Sequence, residues 1–135
     1  MNILFIEDNI EISNLAGGLL LGHNITVAPT LFNARICLLK DPGHESFDAV
    51  ILDLDMARKD LPKNLQDKEG FPGYIFYENI LKNYDKLYKN TIFLTGFDMI
   101  IKKQLPDVFN TLNVVSKDDN DTVKALLDYL KDMKM

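Results

Sequence analysis

The stretch Ala49-Val50-Ile51-Leu52-Asp53-Leu54-Asp55 decides how this chain reads. The apolar residues come without alternation, which marks a strand covered on both faces, as in a parallel sheet between two layers of helices. Asp53 interrupts that run as an ionisable group near the strand's end, and Asp55 follows two residues later. Working outward, four more apolar runs have strand length: Ile3–Ile6, Ile25–Ala28, Thr91–Leu94 and Leu112–Val115. Most are rich in the β-branched or aromatic residues that suit a sheet.

Segments with helical spacing separate these runs. Ile10, Ile12, Leu15, Leu19 and Leu20 can line one broad face, weakened by Gly17 and Gly18. Leu31–Leu39 sets Leu31, Ala34 and Leu38 three and four apart, and Tyr74–Tyr84 carries Ile75, Tyr77, Ile80 and Leu81. A short fourth helix is expected from Met99 to about Leu105, stopped by Pro106. A fifth, Asp121–Met133, carries Val123, Leu126, Leu127 and Leu130, with acidic residues at its start, where the helix dipole favours them. Strands alternating with helices predict a doubly wound α/β domain. From Asp55 to Gly73 nothing periodic appears, and this segment is expected as an extended loop, polar, mobile and flanking whatever site Asp53 belongs to.

Bulk properties set limits on function. With 135 residues, 47% of them hydrophobic and 26% charged, one soluble domain spanning 1–135 is expected. A net charge of −5 argues against direct nucleic-acid binding, though not against a local basic patch. The first apolar run stops at Glu7 and Asp8, so no leader or membrane insertion is read there. The one cysteine, Cys37, sits among apolar neighbours and points to a reducing, cytoplasmic setting.

Chemistry gathers where parallel strands end. The first strand ends in Glu7–Asp8, the third at Asp53, the fourth at Thr95, and the fifth just before Lys117. Taken singly, each reads as a solvated loop residue or a helix cap. Together they make a phosphoryl-transfer set. Three adjacent carboxylates repel one another and call for a hard cation such as Mg²⁺. One carboxylate can act as nucleophile, and a hydroxyl and an ammonium can hold the remaining phosphoryl oxygens.

On these residues the chain resembles the receiver domain of bacterial two-component response regulators, over essentially its whole length. That family places an acidic pair after its first strand, a phospho-accepting Asp after its third, a Ser or Thr after its fourth and a Lys after its fifth. The matching positions are Glu7 and Asp8, Asp53, Thr95 and Lys117. The resemblance implies a flavodoxin-like, five-stranded parallel sheet in the order 2-1-3-4-5. It implies Mg²⁺ held by Asp8, Asp53 and the backbone carbonyl of Asp55, with Glu7 acting mostly through water. A histidine kinase or histidine phosphotransfer protein would be the donor. Read as a single-domain regulator ending with its fifth helix, the chain would signal through a partner protein. It would be no enzyme beyond its own phosphoryl transfer and dephosphorylation.

Two departures concern output. The family's usual aromatic three residues before the Lys is Val114 here, and Asp118 replaces the Pro that usually follows it. Displacement of Phe97, or of the whole fourth helix, would then have to report the phosphorylated state. Two alternatives remain. Asp53-Leu54-Asp55 is similar to the D-x-D of haloacid-dehalogenase phosphatases, although two strands precede it here. A receiver-like binding module that does not switch by phosphate is the other. His23 and His44 read as surface loop residues, and Asp118 to Asp121 as a cap for the last helix rather than a calcium loop.

Overall fold

In a computed structural model of the chain, residues 1–19, 22–40, 46–96, 113–117 and 122–133 are described. Five parallel strands form one sheet in the order β2-β1-β3-β4-β5. They are β1 (Asn2–Ile6), β2 (Asn24–Ala28), β3 (Ala49–Asp53), β4 (Thr91–Thr95) and β5 (Asn113–Ser116). Every residue of β3 and β4 is buried, as their unbroken apolar runs require. The edge strand β2 is different: only Ala28 is buried and Val27 is exposed, because no strand covers its outer side.

Helices cover both faces. They are α1 (Ile10–Leu19), α2 (Leu31–Leu39), α3 (Pro72–Asn79), the short α4 (Asp85–Lys89) and α5 (Thr122–Asp132). One core layer joins Leu4, Ile6, Leu52 and Phe93 of the sheet to Leu31, Ala34 and Leu38 of α2 and to Ile75, Phe76 and Tyr77 of α3. The opposite layer joins Ile3, Phe5, Ile51, Ile92 and Leu94 to Leu126 and Leu130 of α5. Thr30 caps α2 by accepting the Asn33 N–H at 3.0 Å, which fixes the start that the Leu31–Leu39 spacing anticipates. No helix among the described residues is long and apolar enough to cross a membrane.

Three expectations need correction. Ile10, assigned to the buried face of α1, is 71% exposed. It opens the helix beside Asp8 and Asn9 at the sheet's rim, and Ser13 takes the buried place one turn on. The helix expected over Tyr74–Tyr84 ends instead at Asn79, a 3₁₀ turn follows at Leu81–Asn83, and a separate helix, α4, starts at Asp85. Asn79 and Asn83 explain the break, because their side-chain amides donate to the Ile75, Asn79 and Ile80 carbonyls and compete with the helical ladder. The helix expected at 99–105, with Phe97, lies outside the described residues, as do His44 and Asp118 to Asp121.

The third correction concerns the segment after β3. It is folded, with 3₁₀ turns at Arg58–Asp60 and Lys63–Leu65, and α3 begins at Pro72. Met56, Leu61 and Leu65 are buried in the α2/α3 layer. Arg58 reaches across the loop and donates to the carbonyls of Gln66 at 3.0 Å, Gly70 at 2.6 Å, and Lys68. Gly70 takes a φ of +112°, a left-handed geometry that glycine adopts without Cβ strain. Arg58→Ala is expected to destabilise the protein by about 1 kcal/mol, allowing for partial exposure of the guanidinium. It should also speed proteolytic cleavage between residues 58 and 70, and urea denaturation with limited proteolysis checks both.

Candidate functional site

The strand ends at one edge of the sheet bring the separated polar residues together. Glu7 follows β1, Asp53 closes β3 and Thr95 closes β4, and all three are buried. Lys117 follows β5 and is mostly buried. Its ammonium donates to Asp53 Oδ2 at 2.8 Å and to Glu7 Oε1 at 2.9 Å. The Lys117 backbone N–H also bonds the Thr95 carbonyl at 2.8 Å, so β4 delivers Thr95 and Lys117 to the same edge. Asp8 is exposed at the mouth, and carboxylate oxygens of Glu7, Asp8 and Asp53 lie within 4.8 Å of one another.

Backbone donors fix the carboxylates. Asp53 Oδ1 accepts the Asp55 N–H at 2.9 Å, and Glu7 Oε1 accepts the Asn9 N–H at 3.1 Å. Asn9 in turn caps α1, its Oδ1 accepting the Glu11 N–H at 3.0 Å, so the pocket and α1 share one residue. Asp55 offers the site its main chain while its side chain is exposed. Glu7 Oε2 is buried with no hydrogen-bond partner. An orphaned carboxylate oxygen beside two further carboxylates is a fit for a hard divalent cation, since leaving such an atom bare is costly.

Electrostatics follow from this crowding. Burial, and then the negative charge of Asp53, push the Glu7 carboxyl up to about 7, against the pull of Lys117 and the Asn9 N–H. Burial disfavours the Lys117 ammonium, but bonds and charges from Asp53 and Glu7 outweigh that and raise its pKa.

Gly73 is a site residue that sequence pattern alone does not single out. A Cβ there would stand 2.2 Å from the Asp53 carbonyl oxygen and 2.7 Å from Leu54 Cα. The Gly73 N–H instead bonds the Leu54 carbonyl at 3.0 Å, docking the start of α3 directly on the strand end that carries Asp53. Pro72-Gly73 reads from sequence as loop punctuation, which hides this close approach.

Solved structures with the same architecture are numerous, and several of them are response-regulator receivers. A CheY-like response-regulator receiver-domain protein from Methanospirillum hungatei superimposes with a TM-score of 0.66 at 15% identity, covering 96% of this chain and 90% of that one. The receiver domain of the PhyR response regulator of Erythrobacter litoralis gives 0.66 at 23% identity, covering 99% and 92%. A bacteriophytochrome response regulator gives 0.64 at 18% identity, covering 98% and 91%. The fold is that of a response-regulator receiver. No protein-family model matches the chain, and no curated protein matches it by sequence. The receiver architecture therefore occurs in a sequence with little identity to those structures, with Glu7, Asp8 and Asp53 at one edge of its sheet as a group that could hold a metal ion.

Two outcomes are expected. Gly73→Ala should cost about 1–3 kcal/mol in chemical denaturation, because the added methyl meets fixed backbone rather than a flexible side chain. In metal-free protein, the raised folded-state pKa of Glu7 means that the native form holds an extra proton between its ordinary value of 4.5 and about 7. Its contribution is full below that window and is lost as pH rises through it. Stability should fall from pH 5 to pH 8, and Glu7→Gln should flatten that fall.

Proposed function

We propose that residues 1–135 form a single receiver domain of a two-component system that accepts a phosphoryl group on Asp53. The donor is a histidine kinase or a histidine phosphotransfer protein, the setting is cytoplasmic, and the signal passes to a partner protein. The observation that carries this reading is the Lys117 ammonium held between Asp53 Oδ2 and Glu7 Oε1 at 2.8 and 2.9 Å. A buried carboxylate nucleophile needs a mobile cation beside it, ready to follow the charge when it moves onto phosphoryl oxygens.

An Asp53 carboxylate oxygen attacks the phosphorus of a phosphohistidine; the new O–P bond forms as the N–P bond breaks, and the imidazole nitrogen keeps the electron pair. The Asp55 N–H, bonded to Asp53 Oδ1, holds the carboxylate in a single orientation for that attack. Lys117 then moves from carboxylate to phosphoryl oxygen, and the Thr95 hydroxyl binds another. Mg²⁺ would be held by Asp8, Asp53 and the Asp55 carbonyl, with Glu7 in support. When bound, it neutralises charge on the phosphoryl oxygens. Hydrolysis of the acyl phosphate returns the domain to its resting form, and no other reaction is assigned to it.

Output departs from a swinging aromatic. Val114 pairs in register with Phe93 and packs against the layer containing Tyr74, Tyr77 and Phe93. Tyr77 stacks on Tyr88 at 4.3 Å and meets Phe93 edge-on at 4.9 Å, and Val114 adds no ring of its own to this cluster. In this reading, displacement of the segment after Thr95 reports the phosphate in place of a swinging aromatic.

Acetyl phosphate with Mg²⁺ should add one phosphoryl group to the protein in intact-mass measurements, and beryllofluoride should bind only with the metal present. Asp53→Ala should abolish both, and Lys117→Ala should slow labelling by at least about tenfold. Failure of the unmutated protein to label would sink the phospho-acceptor assignment and leave a receiver-like binding module.

A further inference from the structure

The start of α3 bears on the strand end that carries Asp53, and the contact is backbone on backbone. Leu54, the next residue, has both main-chain polar groups committed. Its N–H donates to the Leu94 carbonyl at 3.0 Å, and its carbonyl accepts the Gly73 N–H at 3.0 Å. One bond comes from β4 and the other from α3. β1 accompanies β3 only as far as Leu52, which pairs with Ile6, whereas β4 still pairs with Asp53 through Leu94. Past Leu52, β4 and the first turn of α3 hold the peptide that bears the carboxylate.

Gly73 brings the two backbones this close. A Cβ there would stand 2.2 Å from the Asp53 carbonyl oxygen, 2.7 Å from Leu54 Cα and 3.0 Å from the Asp53 carbonyl carbon. Among the described residues, left-handed φ values belong to Gly22 and Gly70, not to Gly73. This glycine is therefore required by contact rather than by conformation, and alanine would suit the helix itself. An added Cβ forces one of the two pieces to move. α3 is well anchored: Pro72 fixes φ at its first position, and Ile75, Phe76 and Tyr77 are buried in the layer around Phe93. The strand end is held less firmly, because β1 has already left it. Asp53 is the piece that yields, and its carboxylate shifts against the Asp55 N–H that Oδ1 accepts at 2.9 Å.

We propose that Gly73 is a positioning residue for Asp53: the close approach of α3 holds the Asp53–Leu54 peptide where the carboxylate meets an incoming phosphoryl group in line. This role rests on the phospho-acceptor reading of Asp53, and it adds a residue remote from both donor and metal ligands. With acetyl phosphate as donor, an Asp53 oxygen forms the new O–P bond while the P–O bond to acetate breaks. Acetate leaves with the electron pair. Misplacing the nucleophile slows that step without weakening the binding of a donor that never meets Gly73.

The test compares three variants of the full chain, each assayed where circular dichroism shows it folded. At saturating Mg²⁺, Gly73→Ala should lower the maximal labelling rate at least about tenfold and leave the half-saturating acetyl phosphate concentration unchanged. Gly70→Ala is the control, because its strain arises from a φ of +112° with nothing within 4 Å of the added Cβ. It should lose stability yet label at the unmutated rate. Pro72→Ala adds no atom at the contact but frees the φ that aims α3, so it should slow labelling about two- to threefold. By NMR, the Asp55 amide should shift in Gly73→Ala and stay in place in Gly70→Ala. Unchanged labelling of Gly73→Ala would overturn the proposal, as would equal slowing in Gly70→Ala. Should Gly73→Ala not fold, an unchanged rate in Pro72→Ala overturns it instead. If the unmutated protein does not label, the phospho-acceptor reading fails, and the Asp55 amide alone decides whether Gly73 positions the carboxylate.

Discussion

Two buried carboxylates share one ammonium in this protein, and the rest of the functional edge is arranged around that fact. Glu7 and Asp53 are each almost wholly removed from solvent, and Lys117 bonds both. Bringing like charges together in a buried site is unfavourable unless a cation and hydrogen-bond donors compensate. Here the compensation is partial. Glu7 Oε2 has no partner and the Glu7 carboxyl is pushed up to about 7. The site is poised to take a further positive charge.

That arrangement depends on backbone more than on side chains. Three strands must end level for Glu7, Asp53 and Thr95 to meet, and the parallel register of β1 with β3 and of β3 with β4 sets those ends. The Asp55 and Asn9 N–H groups aim the carboxylates, and the absence of a Cβ at Gly73 lets α3 close on the Asp53–Leu54 backbone. Behind the edge, Tyr77, Tyr88 and Phe93 form a packed aromatic layer against which Val114 lies. A stiff layer of this kind holds the pocket in place.

The loop after β3 separates two tasks. Its first residues belong to the pocket through the Asp55 main chain, while Leu61 and Leu65 belong to the α2/α3 layer. Arg58 stiffens it by satisfying carbonyls that no helix or strand would satisfy. The same loop therefore fixes one carboxylate at the end of β3 and packs its middle into the layer between α2 and α3.

Much of this was legible in the amino-acid order alone. Unbroken apolar runs of strand length, rich in β-branched residues, mark a sheet covered on both faces, so five strands and the polar residues closing them followed from Ile3–Ile6, Ala49–Leu54 and their counterparts. The candidate set Glu7, Asp8, Asp53, Thr95 and Lys117 followed from the same reading, because parallel strands deliver their ends to one edge. Long-range contacts decided the rest. Local spacing could not show that Arg58 folds its loop, that Asn79 and Asn83 end the expected helix early and leave a 3₁₀ turn in its last part, or that Ile10 faces solvent. Nor could it show Gly73 against the Asp53 carbonyl, or Glu7 bonded directly to Lys117, 110 residues away. Periodicity reports which residues must be buried; which atoms they meet is set by how distant segments pack, and only the tertiary structure holds that information.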